Sequence, residues 1–229
     1  MSNSVSPSKS ESSPDDPTAN STKPFPDLRS GGRALASELE FFRNRDDVVV
    51  LGIVLGGVLV AHEVANHLRA PLEFVLIRRL LTPEGPGSQI CAVSVAGSIA
   101  LDEKLPPRPE VPYTPLDYFI EDALAGLKQR QKLCRGDRPP LEVTGKTVVL
   151  VDCGIHTAMT MQAAIHGVRM MQPKKIIAAV PVASIDGLKQ VEGIADEIVC
   201  VTATERFGHT GLWYKDFSRP GDQEISKFL

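Results

Sequence analysis

Long apolar runs are missing from this sequence. The longest, Val48 to Ala61, is broken by Gly52, Gly56 and Gly57 and falls short of the roughly 20 apolar residues that a membrane span needs. No membrane partner is expected. An excess of charge is missing too: 25 Lys and Arg stand against 28 Asp and Glu, a net charge of -3. That balance gives no electrostatic footprint for nucleic acid. An anionic small ligand would have to be held by local geometry. Cysteine is scarce, and Cys91, Cys134, Cys153 and Cys200 form no C-x-x-C pair. This excludes a zinc ribbon or a thioredoxin-type motif, and no metal-ligand spacing stands out. Four scattered cysteines fit a reducing compartment, so a cytoplasmic protein is expected. No apolar stretch of the secretory kind occurs in the first two dozen residues. Neither G-x-G-x-x-G nor the G-K-[ST] of a Walker loop is present, which argues against NAD and ATP.

What remains is an ordinary globular composition, 42% hydrophobic over 229 residues, enough for one domain. Residues 1–23 are rich in Ser and Pro and poor in apolar groups, which predicts a disordered tail. Residues 24–229 are then the folded domain. Leu35, Leu39 and Phe42 recur at helical steps and predict a helix over Ser30 to Arg43. Val48 to Val54 reads as a strand buried on both faces, Val58 to Leu68 as a helix, and Leu72 to Ile77 as a second strand. Leu81 to Ser88 is a Gly/Pro loop. Ile90 to Val95 and Ser98 to Leu101 read as a hairpin around Ala96-Gly97. Leu105 to Pro115 contains five prolines and predicts an extended connection. Leu116 to Leu133 reads as a helix, with a solvated charged face over Glu121 to Arg135. Strands at Lys146–Val151, Ile176–Val182 and Glu197–Val201 then alternate with helices at Thr160–Met171 and Ile185–Val191. Such alternation predicts an α/β fold, a doubly wound, mainly parallel sheet covered on both faces.

In such sheets ligands bind beyond the carboxyl ends of the strands, where strand order reverses. Two loops leave a buried strand through small residues into a helix: Gly52 to Gly57 and Asp152 to Thr160. If their strands flank the reversal, both loops face one crevice. In the second loop an acidic residue, a glycine and two threonines precede a helix. Backbone N–H groups and hydroxyls there suit a phosphate. The plainer alternative is a strand ending in Asp, with threonines that cap a helix. For the first loop the alternative is a tight turn.

Together the loops resemble those of type I phosphoribosyltransferases. The second runs Val148-Val149-Leu150-Val151-Asp152-Cys153-Gly154-Ile155-His156-Thr157-Ala158-Met159-Thr160, similar to the V-D-D-G-I-A-T-G-A-T of a largely bacterial subgroup. The first, Gly52-Ile53-Val54-Leu55-Gly56-Gly57-Val58-Leu59-Val60-Ala61, resembles G-I-P-R-G-G-V-P-V-A. The resemblance continues through Arg78-Arg79-Leu80, Ala179 to Ser184 and Phe207 to Ser218. It implies a small hood subdomain beside the sheet. It also implies transfer of ribose 5-phosphate from phosphoribosyl pyrophosphate, usually with Mg2+, to an unnamed acceptor. The partner would be a small-molecule phosphosugar, and a homodimer is what the family suggests.

On that resemblance Asp152 is the catalytic acidic position that holds the ribose hydroxyls. Gly154, Ile155, His156, Thr157, Ala158, Met159 and Thr160 form the 5′-phosphate loop. Gly56, Gly57, Arg78 and Arg79 would hold the pyrophosphate. The sequence departs from the pattern at four positions. Cys153 replaces the second acid with a weak acceptor. Ala158 replaces a glycine, which predicts strain if the backbone needs φ > 0. Met159 replaces a small residue and is expected to intrude on the phosphate site. Leu55 replaces an arginine. These departures predict impaired or lost activity. The alternative is a non-catalytic binding, regulatory or structural protein on the same fold. A remoter option uses Cys153 as a nucleophile beside His156. Trp213 and Tyr214 are expected to pack the C-terminal segment onto the domain, and His62 and His67 to lie at the surface or half-buried.

Overall fold

A computed structural model gives the fold and describes residues 24–81, 89–101, 115–136 and 138–228. The predicted tail, the Gly/Pro loop after Leu81 and the proline-rich connection before Pro115 lie outside the described residues.

The chain begins with β1 (Phe25–Asp27) and α1 (Leu28–Glu38). The Asp27 carboxylate accepts the Ser30 N–H at 2.6 Å, which satisfies a donor that the first helical turn leaves orphaned. A 3-10 turn, Glu40–Phe42, completes the segment predicted as one helix. β2 (Val48–Ile53) is buried at every position. α2 (Gly56–Leu68) starts two residues before its predicted start, because Gly56 and Gly57 form its first turn. β3 (Leu72–Val75) stops short of the predicted Ile77. The chain changes sheets at the fully buried Leu76, and β4 (Ile77–Leu81) opens a second, antiparallel sheet with β5 (Gln89–Ser94) and β6 (Ile99–Leu101). β5 and β6 form the predicted hairpin, and Gly97 takes φ +90° in its turn, a conformation glycine adopts freely.

α3 (Pro115–Arg135), β7 (Thr147–Val151), α4 (Met159–Arg169), β8 (Lys175–Ser184), α5 (Ile185–Lys189) and β9 (Glu197–Thr204) follow. A 3-10 turn (Thr210–Trp213), β10 (Tyr214–Asp216) and α6 (Asp222–Ile225) end the described chain. The main sheet runs β3-β2-β7-β8-β9, all parallel. Since β2 pairs with β3 on one side and β7 on the other, strand order reverses between β2 and β7. Alternate residues face opposite layers. Val48, Val50, Val149 and Val151 pack with Leu35, Val60, Val64 and Leu68 of α1 and α2. Val49, Leu51, Ile53, Val148 and Leu150 pack with Met161, Ile165 and Val168 of α4. The sheet is therefore doubly wound, as predicted.

A third cluster joins Leu76, Cys91 and Val93 to Ile120, Leu127 and Cys134 of α3 and Ile225 of α6. This is the small subdomain. Glu121, Asp122, Lys128 and Lys132 of α3 are exposed, as the charge pattern predicts, whereas Arg130 and Arg135 turn toward partners. Arg135 lies 3.0 Å from Glu73, both side chains are largely buried, and its guanidinium sits over the Phe74 ring. Arg130 grips Asp222. At the C-terminal end, β10 pairs in parallel with β1. Trp213 and Tyr214 are buried there, and the indole N–H donates to the Phe207 carbonyl at 3.0 Å. His62 and His67 are half-buried on α2. Among the described residues no helix is long and apolar enough to cross a membrane.

Candidate functional site

The two small-residue loops lie side by side at the strand-order reversal. They border one cleft of about 970 Å³ whose walls include Leu55, Gly56, Asp152 to Thr157, Met159, Thr160, Arg78 and Arg79. Contact between the loops depends on glycine. A Cβ on Gly57 would meet the Val151 carbonyl at 2.8 Å and the Asp152 Cα at 3.0 Å. One on Gly56 would meet the Cys153 sulfur at 2.9 Å. The peptide bond before Leu55 is cis.

The second loop is pinned from behind. Ile155 donates its N–H to Val182 at 3.0 Å and accepts that of Ser184 at 2.8 Å. Ser184 Oγ donates to the His156 carbonyl at 2.7 Å. The buried Tyr214 hydroxyl donates to the Cys153 carbonyl at 2.6 Å. Loss of solvation raises the Tyr214 pKa and keeps this hydroxyl a donor.

α4 begins without a side-chain cap: its N-cap residue is Ala158. Thr157 is exposed and Thr160 half-buried, both line the cleft, and neither hydroxyl has a hydrogen-bond partner among the described residues. The capping alternative for these threonines is thus not realised. Ala158 has φ -73° and ψ -17°, ordinary helical values that carry no methyl strain, and its side chain is fully buried in the core. That corrects the expectation for this position. Met159 is buried in the same core cluster, with exposure of 8%, so it forms part of the cleft wall and does not stand across the cleft.

Asp152 is half-buried at the end of β7. Burial pushes its pKa up to about 6, against the pull of the Cys153 backbone N–H and thiol and the charges of Arg79 and Arg219. The Cys153 N–H donates to Asp152 Oδ1 at 2.7 Å. Cys153 is buried, and burial together with the Asp152 charge drives its thiol pKa well up. A nucleophilic cysteine needs the opposite shift, so the nucleophile option loses its chemical basis. His156 is turned toward Phe207, with ring centroids 5.6 Å apart and nearly parallel.

Arg78 and Arg79 are adjacent in β4, so period-two alternation sends them apart. Arg78 reaches α3 and pairs with Asp122 at 3.3 Å. Arg79 faces Asp152 closely enough to lower its pKa. The cleft also contains His209 and Thr210, from the Phe207 to Ser218 stretch, and Arg130 and Arg219, which no sequence motif singles out. Arg219 sits in a Ser-Arg-Pro-Gly stretch without periodicity, and only the folding of the C-terminal segment brings it here.

Asp152 is the one carboxylate among the cleft-lining residues. Among the described residues no group of three His, Cys, Asp or Glu side chains could hold a metal. Mg2+ takes oxygen ligands and is commonly held by one or two carboxylates, substrate phosphates and waters. The donors present fit an ion that arrives with a polyphosphate and touches the protein through Asp152. They do not build a cage of their own.

A parallel α/β sheet with paired loops at its reversal, a carboxylate between them and an uncapped helix start with unpartnered hydroxyls is a geometry suited to a phosphate ester. Residues 26–215 match the family described as "Phosphoribosyl transferase domain", and the chain belongs to that family. A Mycobacterium tuberculosis protein named "Putative phosphoribosyl transferase", found in strains CDC 1551 and H37Rv, is 33% identical over 207 residues. The match covers 90% of this chain and 46% of the relative, so the chain spans about half the length of the curated relatives it matches. The crystal structure of the Thermus thermophilus protein TT1426 is similar with a TM-score of 0.72 and 32% identity, covering 90% of this chain and 97% of that one.

Proposed function

We propose that the cleft binds phosphoribosyl pyrophosphate with Mg2+, and that transfer of its ribose 5-phosphate is impaired. The 5′-phosphate lies against the loop Gly154 to Thr160 and the start of α4. The ribose hydroxyls meet Asp152. The pyrophosphate faces Gly56, Gly57 and Arg79, with Arg78 held back by Asp122. The observation that carries this reading is the uncapped start of α4, with the Thr157 and Thr160 hydroxyls unpartnered at the cleft. Cytoplasmic placement accords with four cysteines that form no disulfide among the described residues, and a homodimer is part of the proposal.

The impairment rests on Cys153. A protonated, buried thiol stands where a second carboxylate would accept a ribose hydroxyl. A hydrogen bond to a charged group contributes about 1.5–3 kcal/mol. Its loss weakens the hold on the ribose as charge develops there. The same observation favours a second reading, a ligand-binding protein that does not turn its ligand over.

Calorimetry with phosphoribosyl pyrophosphate, with and without Mg2+, tests the binding. Saturable, Mg2+-dependent heat is expected, and none at millimolar ligand refutes the reading. Pyrophosphate release then separates the two variants of it. Cys153→Asp is expected to raise release above wild type. Tight binding with no release from either protein, with water and with supplied nucleobases as acceptors, favours the non-catalytic reading.

A further inference from the structure

The first loop, Gly52 to Gly57, contributes no basic side chain, yet the cleft is not short of cations. Arg78, Arg79, Arg130 and Arg219 all line it. Two of them are already neutralised. Arg78 pairs with Asp122, and Arg130 Nε lies 2.8 Å from both carboxylate oxygens of Asp222. Arg219 is different. Its side chain makes no hydrogen bond or ion pair among the described residues. It is nevertheless held in position. Its guanidinium carbon lies 4.4 Å from the centroid of the Phe217 ring. Phe217 stacks on Tyr214 with centroids 5.5 Å apart and 20° between planes. The Tyr214 hydroxyl is anchored on the Cys153 carbonyl. The column therefore runs from the second loop to a cation at the first: Arg219 Nε is 3.7 Å from where a Cβ on Gly56 would stand. Its charge is felt at both Asp152 and Cys153.

We infer that Arg219, carried on the C-terminal segment and stacked on Phe217, is the cation that grips the pyrophosphate end of the ligand, in the place where the first loop offers only Leu55. An aromatic platform leaves the fork of guanidinium donors free while fixing its plane. Two phosphate groups bring the charge that an unpaired guanidinium lacks, and Arg79 adds a second cation along the same cleft. The C-terminal segment thereby becomes part of the binding site and is more than a clasp for the fold.

This inference rests on the phosphoribosyl pyrophosphate reading, and binding of ligand fragments separates the two. Calorimetry on the full chain uses magnesium pyrophosphate and, separately, ribose 5-phosphate. Arg219→Ala is expected to weaken pyrophosphate about tenfold or more while leaving ribose 5-phosphate within about twofold, as loss of one charge-assisted contact requires. Leu55→Arg added to Arg219→Ala restores pyrophosphate affinity. Arg219→Lys recovers only part of it, because an ammonium lacks the planar stack and the fork. Unchanged pyrophosphate affinity in Arg219→Ala, or equal loss of both fragments, overturns the inference. A wild-type chain that binds pyrophosphate through Arg219 but not phosphoribosyl pyrophosphate upholds the role of Arg219 and refutes the reading beneath it. A wild-type chain that binds neither refutes both.

Discussion

Asp152 is a carboxylate placed where water solvates it poorly, and its ionisation works against folding. With a native pKa raised to about 6 from 3.8, its stabilising contribution is fully present below pH 4. It is lost as pH rises from about 4 through 6, because the unfolded chain ionises first. Asp152→Asn keeps an acceptor for the Cys153 N–H and removes the charge. The variant is therefore expected to be more stable than wild type at pH 8 and equal to it near pH 4. The gain is about 1–3 kcal/mol, the upper end being the full two-unit shift at 1.36 kcal/mol per unit. Urea midpoints at the two pH values check this, and a gain of equal size at both would show that ionisation is not the cause. At this scale the sequence was readable where chemistry follows a strand end: Asp152, Thr157 and Thr160 stand out beside their glycine. It was misleading at Ala158, since sequence alone does not tell that the backbone there is helical. It was silent on Arg219, whose neighbours Phe217 and Gly56 are distant from each other in the chain.

Among the elements, the start of α2 shows how packing overrules local preference. In an ordinary helix, replacing glycine by alanine stabilises by about 1 kcal/mol. Gly57 lies in α2, yet a methyl there would sit 2.8 Å from the Val151 carbonyl and 3.0 Å from the Asp152 Cα. These are backbone atoms that cannot rotate away. Gly57→Ala is thus expected to destabilise by about 1–3 kcal/mol, the usual cost of overpacking, and to weaken binding of phosphoribosyl pyrophosphate by displacing Asp152. The sign decides the matter: a stabilised variant in urea unfolding would mean that the two loops are not in contact. In the sequence the two glycines read as a break between strand and helix, whereas the helix starts at them. The burial of β2 and β7 was legible as continuous apolar runs. The sheet change after Val75 was not, because β3 and β4 are both apolar at their junction and only the pairing partners differ.

For the molecule as a whole, the first described strand meets the last. β1 and β10 form a parallel pair, Phe25 opposite Tyr214 and Asp27 opposite Asp216, with the Phe25 and Tyr214 rings 5.8 Å apart. Strands of three residues leave no periodic trace, so this clasp could not be read from the sequence, whereas the alternating α/β order between the ends could. The clasp fixes Tyr214, and Tyr214 anchors the Cys153 carbonyl and backs Phe217 and Arg219. The N-terminal edge of the fold thereby supports the site. We propose that residues 24–229 form the folded domain and residues 1–23 lie outside it, so that removing residues 1–23 leaves thermal unfolding unchanged. Removing residues 1–27 takes away β1 and the Asp27 cap of α1. The cap alone contributes about 1 kcal/mol, and each kcal/mol shifts the melting temperature by about 2–4 °C in a domain of this size. A fall of several degrees is expected for the longer truncation, together with weaker pyrophosphate binding as the Tyr214–Phe217–Arg219 column loosens. Scanning calorimetry and pyrophosphate titration of both truncations decide it. A fall on removal of residues 1–23 would move the domain boundary. Unaltered pyrophosphate affinity after loss of residues 1–27 would separate the clasp from the site.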